Sequence, residues 1–227
     1  MLDFLVYLVY NLCMASSKNL KAVAYNSLKS RILSNEIPQG SYLEEKALCE
    51  SMNMSRTPIR EAINQLIQED LVNSIQNKGI FVTEISLVKA REIFEMRHII
   101  EPLVLKSGFD SLDRDRLKAF MSESALQLEK NNFPELHKID YEFHSYISSC
   151  CRNSIMKKVA DSLADQFQRI RTLPFYSEER TRNGVQEHFH LIELILQNKK
   201  EEAAAFLDKH ISNTEHYFFM SVITPTN

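Results

Sequence analysis

The chain has 227 residues, of which 44% are hydrophobic and 25% charged, and its formal net charge is -3. That length holds two modest domains or one large one, with enough apolar content for a proper core. The acidic balance excludes a general basic footprint for nucleic acid, and four glycines with six prolines point to long helices joined by short connections.

Residues 1–13, MLDFLVYLVYNLC, are apolar but fall short of the roughly 20 residues a bilayer span needs. They also lack the basic start and cleavage site of a signal peptide. Residues 1–18 therefore read as an extension, either packing on the protein or lying upstream of a natural start at Met14, and the polar run after Met14 favours the second. Cys13, Cys49, Cys150 and Cys151 show no metal-type CxxC spacing. A reducing cytoplasm is expected, with no membrane association.

Asn19–Asn35 carries Leu20, Val23, Ala24, Leu28, Ile32 and Leu33 at helical spacing, and Pro38-Gln39-Gly40 stops it. Glu44–Met52 predicts a short helix with Ala47, Leu48 and Met52 as its apolar positions. It ends at Asn53, which tolerates the left-handed conformation of a tight turn. Ser55 then offers an N-cap hydroxyl, Pro58 fits the first turn, and Ile59, Ala62, Ile63, Leu66 and Ile67 form one buried stripe. Arg56, Thr57 and Arg60 point outward at the amino end. An ordinary amphipathic helix has the same pattern; the preceding helix and Asn turn make the pair a helix-turn-helix. Leu71–Ile75 and Ile80–Ile85 are β-prone runs joined by Gln76-Asn77-Lys78-Gly79, a hairpin with Gly where positive φ is expected.

These residues resemble the GntR family of winged-helix transcription regulators. The resemblance is carried by Ile37-Pro38-Gln39-Gly40, by Ser55-Arg56-Thr57-Pro58-Ile59-Arg60-Glu61-Ala62 and by Asn77-Lys78-Gly79-Ile80-Phe81-Val82, over roughly residues 20 to 85. It implies a DNA-binding domain over 19–85, with double-stranded operator DNA as partner. Arg56 and Arg60 would read bases in the major groove, Ser55 and Thr57 would position the phosphate backbone, and Gly79 would let the wing approach the minor groove. Lys46 stands where the family carries a basic residue to a phosphate. Glu44 departs from the pattern, standing where the family places a serine-like cap. Residues 17–85 hold eight Lys/Arg against eight Asp/Glu, so the DNA reading rests on where the charges sit.

From Ser86 onward the pattern is helical, with helices at about 87–108, 111–131, 134–151, 154–173, 180–197 and 199–220. Gly108, Pro134 and Gly184 punctuate them, and Pro174 closes the fourth. The expected architecture is mainly α: an N-terminal winged helix-turn-helix with a small β-hairpin, then an antiparallel six-helix bundle over 86–223.

Four polar residues stand inside apolar stripes of that bundle. Asp140 and His144 share a face with Leu136, Phe143 and Ile147. His188 sits with Leu191, Ile192 and Ile195, and His210 with Ala203, Phe206 and Leu207. On one straight helix His188 and His210 would lie about 33 Å apart, but a turn near Asn198 folds them level. Buried polar groups need partners. A carboxylate with three imidazoles suits zinc, nickel or manganese and leaves coordination positions open. A hydrogen-bonded core network is the plainer alternative. Arg97, on the stripe Ile93, Phe94, Ile100 and Val104, either pairs with Glu101 one turn later or reaches a cavity, and the two are compatible. His190 falls about 200° from His188 on its helix and reads as surface or supporting; His98, His137 and His216 read as structural or exposed.

Asp140-x-x-Phe143-His144, Glu187-His188 and His210 also resemble the metal-site pattern of the FCD effector domain in the FadR branch of that family. The resemblance implies that Asp140, His144, His188 and His210 are metal ligands and that Arg97 helps hold a small carboxylate effector. The expected protein is a ligand-responsive, homodimeric transcription regulator, not an enzyme. A metal-dependent enzyme is the competing reading, although no general base or nucleophile stands beside the four residues. A metal sensor, with the ion itself as signal, is a further alternative.

Overall fold

In the computed structural model, which describes residues 20–173 and 177–223, the chain divides into two units between Ile85 and Ser86. The expected extension over 1–18, with Cys13 and Met14, and the helix-closing Pro174 lie outside the described residues. Among the described residues no helix is long and apolar enough to cross a membrane.

The first unit opens with helix α1 (20–33), whose buried seam is Ala24, Leu28 and Ile32, spaced four apart. Leu20 and Val23, expected on that seam, are exposed: Val23 lies about 100° round the helix from Ala24, and Leu20 keeps the four-residue spacing but stands at the amino end of the described helix. Helix α2 (Glu45–Met52) buries only Leu48, so Ala47 is likewise corrected to the surface, about 100° away. Asn53 closes α2 at φ 51°, returning its N–H to Cys49 and Glu50. Helix α3 (Arg56–Gln68) buries Pro58, Ile59, Ala62, Ile63 and Leu66. Ser55 does occupy its N-cap, but the hydroxyl makes no capping bond. The third helical residue is Pro58, which has no N–H to give.

Strands β1 (Val72–Ile75) and β2 (Gly79–Val82) form the antiparallel hairpin, with Asn77 at φ 62° and Gly79 at φ 111°. A third strip, which no periodicity predicts, joins them. Gly40 donates to Val82, Val82 to Ser41 and Leu43 to Ile80, so residues 40–43 line the other edge of β2. Tyr42 bridges to Phe81 there, ring centroids 5.4 Å apart.

The second unit is the mainly α part: six helices in an antiparallel bundle, α4 (Leu87–Gly108), α5 (Arg114–Glu129), α6 (Phe133–Ser149), α7 (Ser154–Arg171), α8 (Glu178–Leu196) and α9 (Lys200–Ile223). A 3₁₀ turn, Phe109–Ser111, precedes α5, which starts later than expected because Asp113 caps the N–H groups of Asp115 and Arg116. Ser86, Asn132, Asn153 and Ser177 cap four further helices through their side chains. Gly184 lies inside α8 rather than punctuating it. Gly108 is required by packing, since a Cβ there would meet the Cys150 backbone at 2.7 Å. Helix α4 packs on α9, α7 and α6, and α8 on α9. Phe94, Phe143, Phe167, Leu105, Leu117 and Leu207 build the core around which the polar residues gather.

Candidate functional site

Helix periodicity sets one half of the bundle site: Asp140 and His144, four apart on α6, face the same way. The α8–α9 turn sets the other half, with Asn198 at φ 62° reversing the chain so that His188 and His210 meet. One ring nitrogen from each of His144, His188 and His210 lies within 4.8 Å of the other two. His144 Nε2 is 3.3 Å from His188 Nε2, and the Asp140 carboxylate lies 3.6 Å from His188 Nε2 and 3.8 Å from His144 Nε2. The structure thus brings together all four residues singled out from the sequence.

The outer face of the cluster fixes its protons. His144 Nδ1 lies 2.9 Å from Glu101, and His210 Nδ1 lies 2.7 Å from Glu187. An ionised carboxylate only accepts, so both Nδ1 atoms are placed to donate, and the neutral tautomer that does so keeps its lone pair on Nε2, toward the cluster. Burial drives His188 well below the ordinary imidazole range, against the pull of Asp140, and it lowers His210 against the bond to Glu187. Neutral imidazoles with inward lone pairs are what a divalent cation requires, and His210 Nε2 is buried with no hydrogen-bond partner. The donor set and this orphaned nitrogen fit a metal ion.

Three arginines that ring the cluster were not foreseen as a set. Arg97 is 1% exposed and donates from Nε to Glu101 at 2.5 Å, with its guanidinium 3.7 Å from the Phe167 ring centroid. Arg171 pairs with Asp140, and Arg180 makes two bonds to Glu187 and one to Thr214. Burial acts to raise all three carboxylates, but the arginines and histidines outweigh it. Asp140 and Glu101 fall far below the usual carboxylate range and Glu187 is held at about 2. A cavity of about 20 Å³ adjoins the cluster, lined by Arg97, Glu101, Asp140, Tyr141, His144 and Arg171. Arg171 lies in the last turn of α7, where nothing in its spacing distinguishes it from an ordinary C-terminal charge, whereas Glu187 stands in the Glu187-His188 pair.

The remaining histidines stay away from the cluster. His190 and His216 are exposed, His98 bridges Asp208 and Glu215 at 2.5 and 3.1 Å, and His137 meets Thr181 at 2.9 Å. Phe206, expected beside His210 on the buried stripe, is only half-buried and packs its ring against His190.

In the first unit, Ser55, Arg56, Thr57 and Arg60 are exposed at the amino end of α3. Arg60 is not free there, because its Nε donates to Glu45 at 2.8 Å. Lys46 lies 3.9 Å from Glu50 across one exposed turn. Lys46, Arg56 and Gly79 line a shared open depression with Tyr42. Gly79 has a structural reason of its own: a Cβ would lie 2.5 Å from the Tyr42 ring.

Comparison with known proteins adds two family matches. The FCD domain matches residues 92–213, and the bacterial regulatory proteins of the gntR family match residues 20–82. The uncharacterized HTH-type transcriptional regulator YdhC of Bacillus subtilis (strain 168) is 24% identical over 194 residues, 83% of this chain and 86% of its own. The Nta operon transcriptional regulator of Aminobacter aminovorans is 26% identical over 175 residues, 76% and 81%. Two solved structures share the fold: a putative transcriptional regulator GntR from Rhodococcus sp. RHA1 (TM-score 0.78, 18% identity, 90% and 99% coverage) and E. coli McbR/YncC (0.79, 17%, 89% and 98%). The curated relatives named here are transcriptional regulators.

Proposed function

Because the chain belongs to the gntR-family bacterial regulators that carry an FCD domain, we propose that it is a metal-dependent, acid-responsive transcription regulator of the FadR branch. The observation that supports this reading is the convergence of three imidazoles on one point, with His144 and His210 braced on their Nδ1 atoms by Glu101 and Glu187 and with His210 Nε2 buried and unpartnered. In this reading Asp140, His144, His188 and His210 hold a divalent zinc, nickel or manganese ion. Bound there, the ion supplies a Lewis-acidic position for an acid's oxygen. Arg97 has a buried NH1 with no hydrogen-bond partner, so it can take a second ligand oxygen while its Nε keeps Glu101.

The two units divide the work. Residues 19–85 bind operator DNA, with Arg56 and Arg60 toward the bases, Ser55, Thr57 and Lys46 toward phosphates, and Gly79 in the wing. The Ser55 hydroxyl, which caps nothing, is available for a phosphate. Residues 86–223 bind the effector and form the homodimer that a two-half-site operator requires. A cytoplasmic protein meets both DNA and metabolite. A cavity of about 20 Å³ admits little more than a water molecule, so an entering acid has to part α4, α6 and α7. Only residues 83–86 separate β2 from α4. A coupling of about 1–3 kcal/mol, a 5–150-fold change in operator affinity, lies in the ordinary allosteric range.

The same small cavity favours a second reading, in which the ion alone is the signal. Operator gel shifts with and without chelator, then with metal plus an organic acid, separate the two. The acid is expected to change operator affinity in the wild-type protein and not in Arg97→Ala or His188→Ala. An equal effect on those variants places the ligand elsewhere, and a response to metal alone supports the sensor.

A further inference from the structure

Helix α2 sets acidic residues on the face assigned to DNA. Glu44 stands at its N-cap without a capping bond, Glu45 lies in its first turn, and Glu50 lies beside Lys46. Glu45 also lines the open depression shared by Lys46, Arg56 and Gly79. A carboxylate there opposes the phosphate backbone and lowers affinity for any duplex, so its presence calls for a compensating use.

That use lies in the next helix. Arg60 Nε donates to Glu45 at 2.8 Å, joining the first turn of α2 to the second turn of α3. The Arg60 side chain is 60% exposed and that of Glu45 28%. An ion pair so exposed adds little to stability, so fastening the two helices is a weak use of it. Its effect on the guanidinium is larger. Holding Nε restricts a long, rotamer-rich side chain and leaves the Nη1–Nη2 edge for a ligand. That edge carries two parallel N–H bonds that match guanine O6 and N7. Arg56, also exposed at the start of α3, makes no hydrogen bond or ion pair among the described residues. One arginine of the pair is thus fixed before DNA arrives, and the other has to be ordered by it.

We infer that Glu45 is the positioning residue for Arg60, and that it lowers general affinity for DNA while raising discrimination at the one base pair Arg60 reads. This rests on the assignment of Arg60 to a base. Loss of Glu45 therefore moves two quantities in opposite directions, which a merely structural ion pair does not do. A repulsive element that weakens every complex and spares the right one is a general route to specificity.

The test begins with a duplex selected by the full-length wild-type chain from a pool of double-stranded DNA with a randomised centre. Arg60→Ala, measured against every single base-pair change in that duplex, identifies the pair Arg60 reads. Binding of wild type and Glu45→Ala is then compared on the selected duplex, on its variant at that pair and on an unrelated duplex. A two-bond arginine–guanine contact supports about 5–150-fold discrimination. Glu45→Ala is expected to reduce it about tenfold at that pair alone, and to bind the unrelated duplex about two- to threefold more tightly at low salt. Glu45→Gln, which loses the charge but keeps an acceptor for Nε, is expected to share the second effect and to lose less of the first. In the Arg60→Ala background, removing Glu45 should leave discrimination unchanged. Wild-type discrimination in Glu45→Ala, in a protein of unaltered helical content, overturns the inference while the role of Arg60 stands. An equal loss at every base pair overturns it too. If Arg60→Ala moves no base preference, the assignment of Arg60 to a base falls and this inference with it.

Discussion

Glu187→Gln isolates the bracing of one imidazole with almost no change of volume. Glu187 accepts from His210 Nδ1, from Arg180 twice and from Asn213, so every partner around it is a donor. A glutamine has one acceptor oxygen and one NH₂. With its oxygen turned to Arg180 and Asn213, its NH₂ faces His210 Nδ1. That nitrogen must then accept, which moves the ring hydrogen to Nε2 and closes the lone pair that points at His144 and His188. Loss of an outer-shell partner of a ligating histidine typically lowers metal affinity 10–100-fold, about 1.4–2.7 kcal/mol. Competition against a chromogenic zinc chelator would read the affinity, and ¹⁵N-detected NMR of the metal-free protein would read the His210 tautomer. Arg180 keeps its 2.9 Å bond to Thr214, so the variant should fold with a lower melting temperature. Zinc affinity within twofold of wild type, in a protein shown to be folded, would refute the assignment of His210 as a ligand braced by Glu187.

Arg56→Ala and Arg60→Ala are each expected to weaken operator binding by about 1–3 kcal/mol with helical content and oligomeric state unchanged; unaltered affinity in both removes their base-reading role. Burial, reinforced by Arg171, lowers His137 to about 4. The unfolded chain therefore binds a proton that the folded one refuses, so His137's contribution is complete above about pH 6.5 and lost as pH falls toward 4. Urea melts of chelator-treated protein should show a decline over that window to which His137 contributes about 3 kcal/mol beside the buried His188 and His210; the decline should be smaller in His137→Gln, and an equal slope in that variant would exclude a contribution from His137. Gly79→Ala forces a Cβ onto Tyr42 at φ 111° and is expected to destabilise the first unit by about 1–3 kcal/mol. The added Tyr42→Ala change should recover the steric part alone, and full wild-type stability in Gly79→Ala would show that the wing backbone is not so constrained.

What the sequence determined was what short-range chemistry can encode. The helix-turn-helix was legible because Asn53, Pro58 and the Ile59–Ala62–Ile63–Leu66 stripe each act within a few residues of their own position. Asp140 with His144, and the pairing of His188 with His210 about Asn198, were legible because helical spacing and one reversal place them. The tertiary structure alone decided which side of a helix meets a neighbour, and so left Val23 and Ala47 in solvent. It also decided that residues 40–43 line β2, because their backbone bonds join segments some forty residues apart and leave no period behind. The arginine ring is divided. Arg97 with Glu101 and Arg180 with Glu187 each pair within one helix, where spacing can show them, whereas Arg171 and Asp140, like His144 and Glu101, come from different helices, and an ion pair across a bundle has no spacing rule in the chain. Helix periodicity therefore named the imidazoles, and only packing could bring Arg171 and Glu101 to them.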